Sequence, residues 1–118
     1  MALGLRIAHR AASDIERAER WWLENRPAAP GAFLADLRGA FILLLRQPGT
    51  GVKVGNARLQ GVRRLHLGRI RYFVYYRVRD DELVVLSVWH SSGVVENRVS
   101  EFIMTPNPAF QRTGFGSR

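Results

Sequence analysis

Histidine and arginine carry most of the chemistry this chain has to offer. His66 and His90 are proton carriers near neutral pH, and Arg64 or Arg77 beside them would steady a phosphorane, a set suited to general acid–base cleavage of RNA. Against that stands the commoner role of a histidine at a strand end, which is structural. Ser13, Ser87, Ser91 and Ser92 could be combined with the histidines into a nucleophilic triad, but no stretch resembles a nucleophile elbow. The chain has no cysteine, which removes thiol nucleophiles, disulfides and cysteine zinc sites. Its three histidines lack helical or cysteine-paired spacing, so no metal is expected. The glycines of residues 48–61 match no phosphate-binding loop, and no cofactor is expected.

Binding is better supplied than catalysis. From Arg46 to Arg79 there are nine basic residues and no acidic one, more than the whole net charge of +8. The excess cation therefore sits in one segment, and all of it but Lys53 is arginine, whose planar fork suits phosphates, carboxylates and aromatic faces. Within residues 70–79 the alternation of a strand puts Ile70, Tyr72, Val74, Tyr76 and Val78 on one side, and Arg71, Phe73, Tyr75, Arg77 and Arg79 on the other. On the preceding strand Leu65 and Leu67 join the apolar side, leaving Arg64 and His66 opposite. Arg63, Arg64, His66, Arg71, Phe73, Tyr75, Arg77 and Arg79 are thus the candidate binding residues. Such a surface can hold phosphates and stack bases, or hold an acidic protein segment. The competing reading has these arginines lying over their own aromatic neighbours or pairing with Asp80, Asp81, Glu82 and Glu96.

The elements that would position these residues follow from periodicity. Leu3 to His9 reads as a short strand. Ser13 and Glu16 have capping-box spacing, and Ile15, Ala18 and Trp22 continue a helical stripe to about Asn25, with Asp14 assigned to the polar side. Phe33, Leu37, Ala40, Phe41 and Leu44 mark a second helix, ended by Pro48-Gly49. After a glycine-rich loop with an edge strand at Val52 to Val54, three β-prone runs follow: Val62–Leu67, Ile70–Arg79 and Leu83–His90. Both alternating sets of the last run are apolar, so its inward face stays open. The fold class is α+β, in the order β-α-α-β-β-β, with an antiparallel meander packed on an N-terminal helical hairpin. Residues 1–99 read as a single domain and 100–118 as an irregular or mobile tail. The longest apolar run, AFILLL, is far short of the roughly 20 residues of a membrane span, and no signal peptide is evident, which places the chain in the cytoplasm without a membrane partner.

The helix ending in LLLRQPG, the GVRRLHL stretch, the RYFVYYRV strand and the final VVLSVWH, in that order and spacing, resemble the ParE/RelE superfamily of bacterial toxins, chiefly its ParE-like branch, also known as plasmid stabilisation proteins. The likeness covers about residues 3–92. It implies the toxin of a type II toxin–antitoxin pair, neutralised by a small acidic antitoxin and, in the ParE-like branch, acting by binding DNA gyrase without chemistry of its own. The RelE-like alternative implies a ribosome-dependent endonuclease of mRNA, with Arg64, Arg77 and His90 as catalytic candidates. That branch would place an arginine and a tyrosine (or a terminal histidine) after the last strand; Ser91-Ser92-Gly93 stand after His90, and no tyrosine follows Tyr76. A third reading is an attenuated toxin that only binds antitoxin, and a homodimer is left open. The tail TPNPAFQRTG is similar to readings through an integron cassette recombination site.

Overall fold

The computed structural model describes residues 3–55 and 57–91; the tail, Arg98 and Ser92-Gly93 lie outside them. Strand β1 (Gly4–Ile7) leads into helix α1 (His9–Asn25), then helix α2 (Ala32–Arg46), a 3₁₀ turn (Pro48–Thr50), β2 (Val52–Lys53), β3 (Arg63–Leu67), β4 (Tyr72–Arg79) and β5 (Glu82–His90). The five strands form one sheet in the order β1-β5-β4-β3-β2. The meander β3-β4-β5 is antiparallel as its short connections require, whereas β1 joins the far side of β5 in parallel, reached back through the helices.

Helix α1 starts earlier than its local sequence suggests. Its N-cap is Ala8, with no side-chain cap, so Ser13 lies inside the helix rather than at its start. The start is set by tertiary contact: Ala8 donates its amide to the Val85 carbonyl at 2.9 Å, the last rung of the β1–β5 ladder. The buried stripe is Ala11, Asp14, Ala18 and Trp22, which moves Asp14 from the polar side to the inner one. Trp22 also donates from Nε1 to the Ala29 carbonyl at 2.7 Å, tying the interhelical connector to the helix it leaves.

Under the helices, Phe33, Leu37 and Leu44 of α2 pack with Trp22 on Ile70, Tyr72, Val74, Tyr76, Leu83, Val85 and Val88 of the sheet. Phe33 and Leu44 are fully buried, while Phe41 is only partly buried against this core. A second, smaller cluster lies on the opposite face, where the loop before β3 brings Val54, Ala57, Leu59 and Val62 over Phe73, Tyr75 and Leu86.

A bulge in β5 explains why neither apolar set of that strand gives way to polar residues. Tyr75 pairs with Ser87 but Tyr76 pairs with Val85, so Leu86 is the extra residue. Leu83, Val85 and Val88 face the helices, Leu86 joins the loop-side cluster, and Val84 and Trp89 are buried as well. Both faces of the strand are covered.

On the helix side, the turn that follows α2 is fastened to the sheet by Tyr76. Its hydroxyl donates to the Pro48 carbonyl at 2.7 Å and accepts from the Gly51 amide at 2.8 Å. Gly51 is obligatory here, because a Cβ would sit 2.6 Å from that hydroxyl and 2.8 Å from the Arg64 carbonyl.

Candidate functional site

On the loop-side face the strand registers set out rows of side chains. Arg64 stands beside Tyr75 and Ser87, His66 beside Phe73 and Trp89, and Arg77 beside Val84 and Arg6. Phe73 is the centre of the patch: the Arg64 guanidinium lies 4.5 Å over its ring and the His66 imidazole 4.8 Å from it. Arg10 reaches from α1 to within 5.8 Å of the Trp89 ring. These contacts hold Arg64 by cation–π attraction, with its guanidinium donors aimed at no carboxylate among the described residues.

The remaining candidates disperse. Tyr75 is on this face but only 1% exposed, covered by the loop, so it supports the patch from beneath rather than offering a stacking surface. Arg63 pairs with Tyr76 and therefore faces the helix side at the sheet edge, where it donates to the Gly51 carbonyl at 2.6 Å. Arg77 is half-buried near the Gln60 carbonyl, 3.5 Å away, and burial and the neighbouring Arg79 both oppose its charge. Arg79 is exposed. Among the nine basic residues of the segment, Arg69 pairs with Asp36 at 3.0 Å; Arg63, Arg64, Arg71, Arg77 and Arg79 have no carboxylate partner among the described residues.

Arg71 leaves the alternation altogether. It sits in the turn between β3 and β4 with φ of 65°, the left-handed region that costs a residue with a Cβ roughly 1–2 kcal/mol. Its amide donates to the Leu67 carbonyl at 2.7 Å, and its own carbonyl accepts from the Ser91 amide at 2.7 Å. Asp80, the other left-handed non-glycine among the described residues, is a residue type that turns favour; an arginine is not.

His90 pairs with Tyr72 and so lies on the helix side of the sheet. Its ring meets Tyr72 edge-on at 5.0 Å and Trp21 at 6.3 Å. Burial lowers its proton affinity, and the positive fields of Arg71 and Arg26 lower it further, so the neutral ring is favoured. Arg64 and Arg77 are on the other face, and Arg77 is five residues, roughly 17 Å, along β4 from Tyr72. The fold therefore does not bring His90, Arg64 and Arg77 into one catalytic centre. His66 and Arg64 do share a face, both against Phe73.

Sequence reasoning passed over Asp14. Its Oδ2 accepts from the Ser87 hydroxyl at 2.8 Å and the Val88 amide at 3.0 Å, and its Oδ1 from Arg17 at 2.7 Å. The carboxylate takes the place of a strand on the edge of β5 beyond the end of β1, next to the bulge. Desolvation raises its proton affinity, partly offset by the Val88 and Ser87 hydrogen bonds and by Arg10 and Arg17. The signal was present in the spacing: 11, 14, 18 and 22 form one helical stripe, and only position 14 in it is polar.

The class defined by this fold and site is a basic α+β domain with a paired-helix layer on a five-stranded sheet and its proton carriers split between faces. The fold is shared with a chain of the chromosomal ParDE toxin–antitoxin system from P. aeruginosa, which is 20% identical, with a TM-score of 0.62 over 75% of this chain and 95% of that one. A conserved hypothetical protein from Helicobacter pylori, HP0894, is also 20% identical over 76% of this chain and 96% of that one, at a TM-score of 0.42. No curated protein sequence matches. The family model described as the ParE toxin of type II toxin–antitoxin system, parDE, matches residues 5–95. The chain belongs to that family: it is a ParE-type toxin of a type II toxin–antitoxin system, and membership implies an antitoxin partner.

Proposed function

We propose that this toxin acts by binding DNA gyrase, without chemistry of its own, and that a cognate acidic antitoxin silences it by covering cationic surface. The observation that carries the reading is the placement of His90 on the helix side of the sheet, opposite Arg64 and Arg77, with Arg77 also roughly 17 Å along β4; His66 and Arg64, which share the Phe73 face, are the pairing that a nuclease reading would have to use. A phosphoryl-transfer site needs its proton carrier and its anion stabiliser within hydrogen-bond reach of the same reacting group. The family supports the toxin reading, and Arg64, held over Phe73 with no carboxylate partner among the described residues, supports an anionic partner.

In this reading residues 1–99 are the toxin domain, and it works in the cytoplasm, where gyrase and chromosome are. No helix among the described residues is long and apolar enough to cross a membrane. The decisive assay adds the purified chain to gyrase and supercoiled plasmid. Gyrase-dependent DNA breaks or loss of supercoiling activity, reversed by antitoxin, are expected. If gyrase is untouched while programmed ribosomes show cut message, the ribosome-dependent nuclease takes its place; if neither responds but antitoxin binds, the chain is an attenuated toxin.

A further inference from the structure

Residues from three elements meet at the end of the sheet away from Arg77, outside the Phe73 patch, where the His90 ring also packs edge-on against Tyr72 of the core. Trp21 on α1 is 40% exposed. Arg26, just past the end of that helix, lies 5.5 Å over its ring, and His90 at the end of β5 stands 6.3 Å from it. Arg71, in the β3–β4 turn, holds the Ser91 amide on its carbonyl and so is fixed beside the end of β5. Arg26 and Arg71 are both exposed, and neither has a carboxylate partner among the described residues.

We propose that Arg26, Arg71 and His90 form a binding site for a phosphate group, with Trp21 as its apolar wall. The two arginines and the imidazole come from three different elements, an α1 end, a turn and a strand end, and both arginines lie close enough to His90 for their charge to act on its ring. A phosphate monoester has nearly two negative charges and three acceptor oxygens splayed around phosphorus, which suits donors arriving from several directions; a carboxylate, planar and singly charged, is satisfied by one guanidinium fork. The backbone of Arg71 points the same way. Glycine or asparagine would relieve its left-handed turn, so the strain at Arg71 is consistent with a role for its side chain at this site. An arriving phosphate also offsets the positive fields of Arg71 and Arg26, which add to burial in lowering the proton affinity of His90, so binding raises that affinity. The phosphate can belong to a free nucleotide or to a nucleic-acid backbone.

The test follows the His90 imidazole resonance of the purified full chain through a pH titration, alone and with inorganic phosphate, a nucleoside monophosphate, a short DNA oligonucleotide or acetate. Phosphate and its esters are expected to shift the His90 midpoint upward, and acetate to leave it in place. Equal effects of phosphate and nucleotide indicate a site for the bare group, and a much tighter oligonucleotide indicates a backbone source. Arg26→Gln and Arg71→Gln should each weaken phosphate binding roughly tenfold, the scale of one charged hydrogen bond. Arg38→Gln on α2 should not. Arg71→Gly separates binding from folding, since the turn tolerates glycine: thermal stability at or above that of the parent, with binding lost, is the expected pair. A His90 midpoint indifferent to phosphate, an equal response to acetate, or an Arg38→Gln loss as large as that of Arg71→Gln would overturn the proposal. Gyrase takes no part, so this outcome is independent of the toxin's target.

Discussion

The two faces of the sheet are both covered, but by different means. On one side two helices lay large apolar side chains over Tyr72, Val74, Tyr76 and Val85, and that cluster includes the fully buried Phe33 and Leu44. On the other, a loop of small and medium residues covers Tyr75, while Arg64, His66 and Phe73 stack beside it at the surface. Apolar burial makes the helix side the source of stability. The loop side is built of cations over rings, contacts that contribute little to folding and remain available to a partner. The contrast teaches that an arginine-rich strand need not have a bare face: rings and a loop can shield the strand while guanidinium groups stay at the surface.

Substitutions should respect that division. The largest effects are expected under the helices: Phe33→Ala and Trp22→Ala should each cost about 3–5 kcal/mol in denaturant unfolding, with Phe41→Ala smaller because its ring is only partly buried. Next comes Asp14→Ala, which strands the Ser87 hydroxyl and Val88 amide against the helix and should cost about 1–3 kcal/mol. Tyr76→Phe, which leaves the buried Gly51 amide without its acceptor, should fall in the same range, about 1–3 kcal/mol. Smallest is Arg79→Ala, expected within about 0.5 kcal/mol of the parent while weakening an anionic partner. Melts showing Arg79→Ala as costly as Phe33→Ala would erase the distinction between the faces.

Asp14 also gives the helix side a pH signature. Its folded proton affinity is raised above the ordinary carboxyl value of 3.8, so its contribution to stability is fully present below that value and is lost as pH rises through the folded pKa. The difference in stability between parent and Asp14→Asn, followed by thermal melts across the acid range, should therefore move against the parent as pH rises. A difference that is flat, or of opposite sign, would mean that the hydrogen bonds to Val88 and Ser87 outweigh desolvation.

Much of this layout was legible in the residues. The period of 3.6 in Phe33, Leu37, Ala40 and Leu44, and the period of two through Tyr72, Val74 and Tyr76, state both helices-on-sheet packing and the inner face of β4. What was not legible depended on contacts distant in sequence. Ser13 and Glu16 have the spacing of a cap, yet the start of α1 is fixed by Ala8 meeting Val85. The bulge at Leu86 left no trace, because an apolar residue suits either covered face. Arg71 matched a strand pattern and became a turn residue, since Gly68 to Arg71 form the reversal that closes β3 on β4. Tyr75 kept its predicted side but lost its exposure to a loop whose glycines gave no sign of where it would lie. Likewise the candidates Arg64, Arg77 and His90 were each placed within a strand correctly, and only the three-dimensional arrangement separates them.

The most direct test of action by binding rather than by cleavage is to induce the chain without antitoxin and follow DNA synthesis, protein synthesis and message integrity in the same culture. Early arrest of DNA synthesis, with altered plasmid supercoiling and intact transcripts, is the expected result. An immediate translation block with cut messages and normal supercoiling would contradict it.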